Sequence, residues 1–476
     1  MFVLPAHPVF AGAVFITLTF FSTCSRADSL RDIYELALKN DATLRAAAAT
    51  FRANQETEKQ ARSRLLPQIA SEASYSANQG LRDAFGNNLS GNTVVTSQIK
   101  SQRTTRSNNW DVSLSQALFD LPSWFSFKSG QAISAQATAQ FAYDQQELII
   151  RVAETYFNVL RAQDNLLSSQ TEERVYKEQW EQAQSRLHSG IAAITDVHEA
   201  RAAYDASRAQ RITDAGNVRS MYAALSVLTG LIHTEVALLE PTFPIKPPQP
   251  GSETDWIKHA TQNNFALKAA VAAMNAARQT RYAKETEHLP KVNASLNYQN
   301  QNLEGKQTFS PDSPFATPPN MEDHSKVAAI KVIMPIYSGG FASSQARQAY
   351  EQYNVALEQK IDIERKVMQN TLAKFVAANS DVERVQARQE AINSSQAALE
   401  ATQAAYKSGT RSIVDVLTTQ RTLFISKRDY ANARYDYVMD LLYLKQWAGM
   451  LSPQDIYELN HWLVTVNLPR GQDATN

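Results

Sequence analysis

The 476-residue sequence predicts a mainly α-helical chain that also contributes strands to a membrane β-barrel. Three features predict it. An apolar leader is followed by no further apolar run of membrane-helix length, and a unit of about 220 residues is written twice. Each unit also holds two alternating strands beside about 65 residues nearly free of helix breakers. The 47 basic and 47 acidic residues balance, so no broad field favours nucleic acid as a partner. Alanine and glutamine are abundant and glycine is scarce, at 15 residues, which suits long helices.

The leader comes first. PVFAGAVFITLTFFS is apolar, and Ser25-Arg26-Ala27 places small residues at the two positions a signal peptidase reads, which predicts a secretory signal over residues 1–27. The only cysteine, Cys24, lies inside it, and Phe21-Ser22-Thr23-Cys24 loosely resembles a lipoprotein cleavage site, so a lipidated Cys24 is the alternative. Cleavage after Ala27 leaves no thiol, which excludes disulfides, thiolate metal sites and cysteine nucleophiles. Beyond it no run of about 18 apolar residues occurs. An exported chain of this kind is periplasmic, extracellular or an outer-membrane β-protein, whose short strands hydropathy overlooks.

The duplication is read from four pairs of segments. NDATLRAAAATFRAN from Asn40 pairs with NNFALKAAVAAMNAA from Asn263, and LLPQIASEASYSANQ from Leu65 with HLPKVNASLNYQNQN from His288. QALFD from Gln116 pairs with MPIYS from Met334, and LSVLTG ending at Gly230 with LKQWAG ending at Gly449. The offsets are 223, 223, 218 and 219 residues. The repeats therefore span 28–240 and 252–450, joined by PTFPIKPPQPG (241–251), whose five prolines make it an extended linker. Residues 451–476 form a C-terminal tail.

Within each copy a short helix (30–39; 255–262) precedes a longer one (42–65; 266–288), ended by a Leu-Pro pair. Strands follow at 67–79 and 290–302, then polar loops at 80–108 and 303–325, then return strands at 109–120 and 326–337. Alternation puts Leu296, Ile330 and Val332 on a lipid face and Asn293, Ser295, Asn297, Gln299 and Lys331 on an inner, water-facing one. The runs 123–187 and 341–407 contain no proline and, between them, the single glycine Gly130. At 1.5 Å per residue such helices reach about 100 Å. Aromatics gather where strand meets helix: Phe119, Trp124, Phe125 and Phe127 in one copy, Tyr337 and Phe341 in the other, as a membrane-interface girdle requires. Four strands in lipid leave two unpaired edges, which the bilayer forbids. Two copies would close an eight-stranded barrel filled by its own side chains, and three a 12-stranded barrel with a lumen.

Each long helix ends in the same phrase, S-G-x-x-x-I-x-D-V, at Ser189 and Ser408. Gly190 and Gly409 suit the helix end where the chain turns back. Asp196 and Asp415 lie near the start of the returning helix, where the dipole favours a carboxylate. Only the second copy carries an arginine, Arg411, inside the phrase.

Taken together, the leader, the duplication, Leu-Pro before the first strand, ALFD and PIYSGG before the long helices, YFNVL within one, the repeated tip phrase and YANARYDYV resemble the TolC family of outer membrane factors, over nearly all of the mature chain. The resemblance implies a homotrimer with a 12-stranded barrel, four strands per chain, continuous with a long α-helical periplasmic tunnel, the C-terminal tail lying at its equator. It implies work with a periplasmic adaptor protein and an inner-membrane ABC or proton-driven transporter, for type I protein secretion, small-molecule efflux or both. By position Arg411 and Tyr406 match latch residues of one hairpin, and Thr195 and Asp196 their partners on the other. Arg411 is expected to fork onto Asp196 and Thr195, and the Tyr406 hydroxyl to donate to Asp196. Asp415 matches a constricting aspartate. Where the family places a second aspartate this chain has Thr418, so three carboxylates rather than six would ring the aperture and hold cations more weakly. Gly190-Ile191 and Gly409-Thr410 match tip contacts with the adaptor.

No Ser/His/Asp order, phosphate-binding glycine loop or His/Glu cluster occurs, and His188 and His198 flank a turn, so neither an enzyme nor a metal or cofactor site is expected. A trimeric coiled-coil adhesin would share the long helices, but not the four strands or the duplication.

Overall fold

The computed structural model describes residues 27–91, 93–310 and 318–464. The expected signal up to residue 26, with Cys24, and residues 465–476 of the tail lie outside the described residues.

Each repeat folds as two helices, a β-hairpin and a helical hairpin. The first holds α1 (Leu30–Asn40), α2 (Ala42–Ser63), β1 (Gln68–Ser90), β2 (Thr93–Phe119), α3 (Leu121–His188) and α4 (Ile194–Thr229). A two-residue strand, β3 (Leu238–Leu239), precedes the proline-rich connection. The second repeat holds α5 (Glu253–Asn263), α6 (Phe265–Glu285), β4 (Lys291–Ser310), β5 (Met321–Ile333), α7 (Phe341–Lys407) and α8 (Ile413–Trp447). After it come α9 (Pro453–Asn460) and β6 (Leu463–Val464).

The polar segments expected as loops, 80–108 and 303–325, are largely strand. β1 and β2 pair without a break from Gln68↔Ser115 to Ser90↔Thr93, and β4 runs on to Ser310. Asn, Ser, Gln and Gly mark coil when read singly. Here the ladder satisfies their backbone groups, and the side chains need only water. β5 in turn stops at Ile333, short of the expected 337.

The sheet is antiparallel in the order β1-β2-β4-β5. Directly opposed residues share a face, so the register defines both surfaces. Ile69 opposes Leu114, Leu114 opposes Leu296, Val112 opposes Tyr298, Ala294 opposes Ile330 and Val292 opposes Val332. This apolar face is exposed, with Ile69 at 74% and Ile330 at 71%. The other face opposes Glu72 to Asp111, Asp111 to Gln299, Ser113 to Asn297, and Asn293 to Lys331. β1 and β5 are left as open edges.

α3 and α7, 68 and 67 residues long, extend about 100 Å each. Asp120 caps α3, accepting the Ser123 N–H at 3.1 Å, with Pro122 in the first turn. Gly130, the lone glycine of α3, lies where α2 crosses: a Cβ there would sit 3.1–3.2 Å from Ala61, Glu58 and Thr57. The main core forms halfway along α3, where Leu148, Val152, Tyr156 and Leu160 meet Leu30 and Ile33 of α1, Leu225 of α4, Val438 and Leu442 of α8 and Ile456 of α9. The described part of the tail therefore packs against this mid-height belt, and β6 pairs with β3 there. Among the described residues no helix is long and apolar enough to cross a membrane.

Candidate functional site: the hairpin tips and the sheet rim

Both long helices end in the same turn. At the first, the Gly190 N–H donates to Leu187 O and Ile191 N–H to Arg186 O, at 3.0 and 2.9 Å. At the second, Gly409 N–H donates to Tyr406 O and Thr410 N–H to Ala405 O, at 3.1 and 3.0 Å. Gly190 and Gly409 have φ of 72° and 78°, the left-handed region in which glycine is unstrained. Ile191 and Thr410 stand exposed beside them.

The two aspartates of the repeated phrase do different work. Asp415 forms a capping box at the start of α8: it accepts from the Ser412 N–H at 3.1 Å and hydroxyl at 3.0 Å, while the Ser412 hydroxyl accepts the Asp415 N–H at 3.2 Å. Those hydrogen bonds, helped by Arg411, hold its carboxyl below the usual carboxylate range. The corresponding cap residue of α4 is Ala193, which offers no side-chain acceptor, and Asp196 is left in the first turn.

Arg411 does not reach Asp196 or Thr195 within its own chain. Its guanidinium is 3.8 Å from Asp415 and 62% exposed, a loose surface pair screened by solvent. Tyr406 is half-buried, and burial above all, with Asp196 nearby, pushes its hydroxyl up while Arg186 opposes this. The expected hydroxyl bond from Tyr406 to Asp196 is replaced by another contact, the Arg186 guanidinium lying 4.9 Å from the centre of the Tyr406 ring. Arg186 was not legible as a site residue because it precedes the repeated phrase. The signal was the duplication itself: 219 residues on, its counterpart is Ala405.

Above the tips α8 is tied to α3 in steps. Arg161–Asp436 and Tyr435–Asp164 are close, at 2.7 and 2.6 Å. Arg428–Glu172, Gln179–Gln420 and Tyr176–Leu417 O are longer, at 3.3–3.4 Å. A cavity of about 770 Å³ lies between α3, α4 and α8 at that level, lined by Glu172, Asp214, Arg421 and Arg428 among others. Among the described residues no group of three or more potential metal ligands occurs.

At the strand–helix rim Phe119, Trp124, Tyr337 and Phe341 are exposed. Trp124 meets Phe127 at 5.8 Å with the rings tilted 55°, under Lys128, whereas Phe125 turns inward onto Tyr282 of α6, at 5.5 Å. A second aromatic group is Trp110 against Tyr298 at 5.2 Å on the apolar face, two strand residues whose pairing alternation alone does not reveal. Nine residues separate Trp110 from Phe119, about 30 Å along a strand, or close to the 25 Å apolar band of an outer-membrane barrel once tilted.

Comparison with known proteins agrees with this geometry. The outer membrane efflux protein family model matches residues 33–231 and 256–450, one match per repeat. The outer membrane protein TolC of Escherichia coli is 32% identical over 459 residues, covering 96% of this chain and 88% of TolC. The alkaline protease secretion protein AprF of Pseudomonas aeruginosa is 25% identical over 93% of this chain and 88% of its own. The crystal structure of the outer membrane protein VceC of Vibrio cholerae superposes with a TM-score of 0.69 at 17% identity, covering 88% and 96% of the two chains. The open, lipid-faced sheet is thus a contribution to a barrel and the long hairpins are tunnel walls, and the chain belongs to the outer membrane efflux protein family of export channels, seated in the outer membrane and reaching into the periplasm.

Proposed function

We propose that three copies close their four-stranded sheets into a 12-stranded barrel, and that the long hairpins continue it as a tunnel gated at its periplasmic tip. The observation that carries this reading is the sheet itself: one face apolar across all four strands, the other polar, and both edges unpaired. Such a sheet is stable in lipid only when another copy completes each edge, and 12 strands leave room for a solute where eight do not.

In this reading the channel exports proteins by type I secretion, small molecules, or both, with an inner-membrane ABC or proton-driven transporter and a periplasmic adaptor. Likeness to AprF, named for alkaline protease secretion, favours a protein cargo. The efflux description of the matching family keeps a dedicated small-molecule route as the second reading. The exposed Ile191 and Thr410, each beside its glycine, are the proposed adaptor contacts. Residues 1–27 are the proposed export signal.

The proposed latch runs between copies. The exposed Arg411, loosely held by Asp415, is free to engage Thr195 and Asp196 of a neighbouring chain, and Asp415 lines the constriction. Arg411→Ser and Asp196→Ala should each raise single-channel conductance of the purified trimer in planar bilayers. Unchanged conductance in both variants would remove the latch assignment.

A further inference from the structure

We infer that Arg186 is a positioning residue of the closed tip: its guanidinium, lying on the Tyr406 ring, holds the second hairpin against the first. The inference rests on the gated-tip reading above and adds a contact made within one chain.

Each hairpin tip has its own small core. Ala183, Val197 and Ala200 pack with Trp180 and Leu187 in the first, while Leu399, Ile413, Val416 and Leu423 pack with Tyr406 and Leu417 in the second. The two clusters are separate, so contacts that bridge the hairpins help to hold the tips in position. The nearest hydrogen bonds above, from Tyr176 to Leu417 O and from Gln179 to Gln420, are uncharged and long, at 3.4 and 3.3 Å. Arg186 over Tyr406 is a charged contact that bridges the two hairpins at tip level.

Three features suit Arg186 to this role. Its Nε is buried with no hydrogen-bond partner, and among the described residues it joins no ion pair, so the face of the ring is what answers its charge. Arg186 is half-buried, and a guanidinium over a tyrosine is attracted more strongly as water is removed from around it. Its carbonyl accepts the Ile191 N–H, and the Tyr406 carbonyl accepts the Gly409 N–H, so the contact joins the two residues that close the two turns. Any separation of the hairpins must break this contact or distort both turns. Its pseudo-symmetric counterpart does not exist, because Ala405 and Leu187 occupy the equivalent positions.

Single-channel conductance of the full-length trimer in planar bilayers tests it, with Arg186→Met, Arg186→Lys, Tyr406→Leu and Arg411→Ser measured side by side. Loss of one such contact should raise the open fraction between about two- and fivefold in Arg186→Met and Tyr406→Leu. Arg186→Lys, which keeps a cation over the ring, should stay near the parent. A merely structural role would not separate Lys from Met. A parent-like Arg186→Met beside a leaky Arg411→Ser overturns the inference and leaves the gate reading standing. Equal leakiness in the Lys and Met variants also overturns it. Parent-like behaviour in all four removes the gate reading itself.

Discussion

Asp196 and Asp415 occupy the same place in a repeated phrase, and their surroundings give them different chemistry. Ser412 donates twice to Asp415, and this lowers its pKa from the ordinary carboxylate value of about 3.9. For a carboxylate whose folded-state pKa is depressed, the stabilisation is present above the unfolded value and is lost as pH falls through the folded one. Asp415 should therefore contribute no pH dependence from about 5 to 8, and Asp415→Asn should leave the shape of the conductance–pH profile over that window unchanged. A conductance step near pH 6 that Asp415→Asn abolishes would contradict the capped carboxylate. The sequence marks Arg411 where the two copies differ inside the phrase, against Ala192, and the structure leaves it exposed beside Asp415. The contact of Arg186 with Tyr406 was not legible, because a cation over a ring leaves no spacing pattern along the chain. The alternative partner of Arg411, Asp415, is a neighbour four residues away, and motif matching passes over such pairs in favour of distant ones.

At the scale of the element, the long helices were the most legible feature. Absence of glycine and proline set their limits, and α7 begins and ends where the breakers do. The one exception, Gly130, lies where α2 passes so close that even a Cβ would push it back by a few tenths of an ångström. Gly130→Val should cost about 1–3 kcal/mol through overpacking, seen as a lower temperature at which the assembled channel falls apart on a denaturing gel, with conductance unchanged below it. A variant as heat-resistant as the parent would show that α2 moves aside freely. The strands were legible in position and in face, because alternation is a property of single residues. Their length was not, since whether a polar segment pairs or coils depends on the opposite strand. β1 has 23 residues, about 75 Å of strand against a hydrocarbon layer of about 30 Å, so much of the β1–β2 hairpin continues past the lipid.

The whole molecule combines two materials with opposite demands. The sheet turns apolar side chains outward and polar ones inward. The helical part buries its apolar residues in a belt at mid-height and keeps only small separate cores at its tips. That distribution places rigidity at the belt, where Arg161–Asp436 and Tyr435–Asp164 are tight, and leaves the tips joined by few contacts. The proposed gate, a conduit firm at its middle and opening at its periplasmic end, would need this gradient. The duplication explains how one chain supplies two near-equivalent wall segments, and the differences between the copies, Arg411 and Arg186, give each hairpin one arginine at its tip. The account stands or falls on the completion of the sheet edges by other copies of the chain. Native mass spectrometry of the channel extracted from outer membranes in mild detergent measures that directly. Three chains per particle is the predicted result; a population of single chains or of dimers would contradict it.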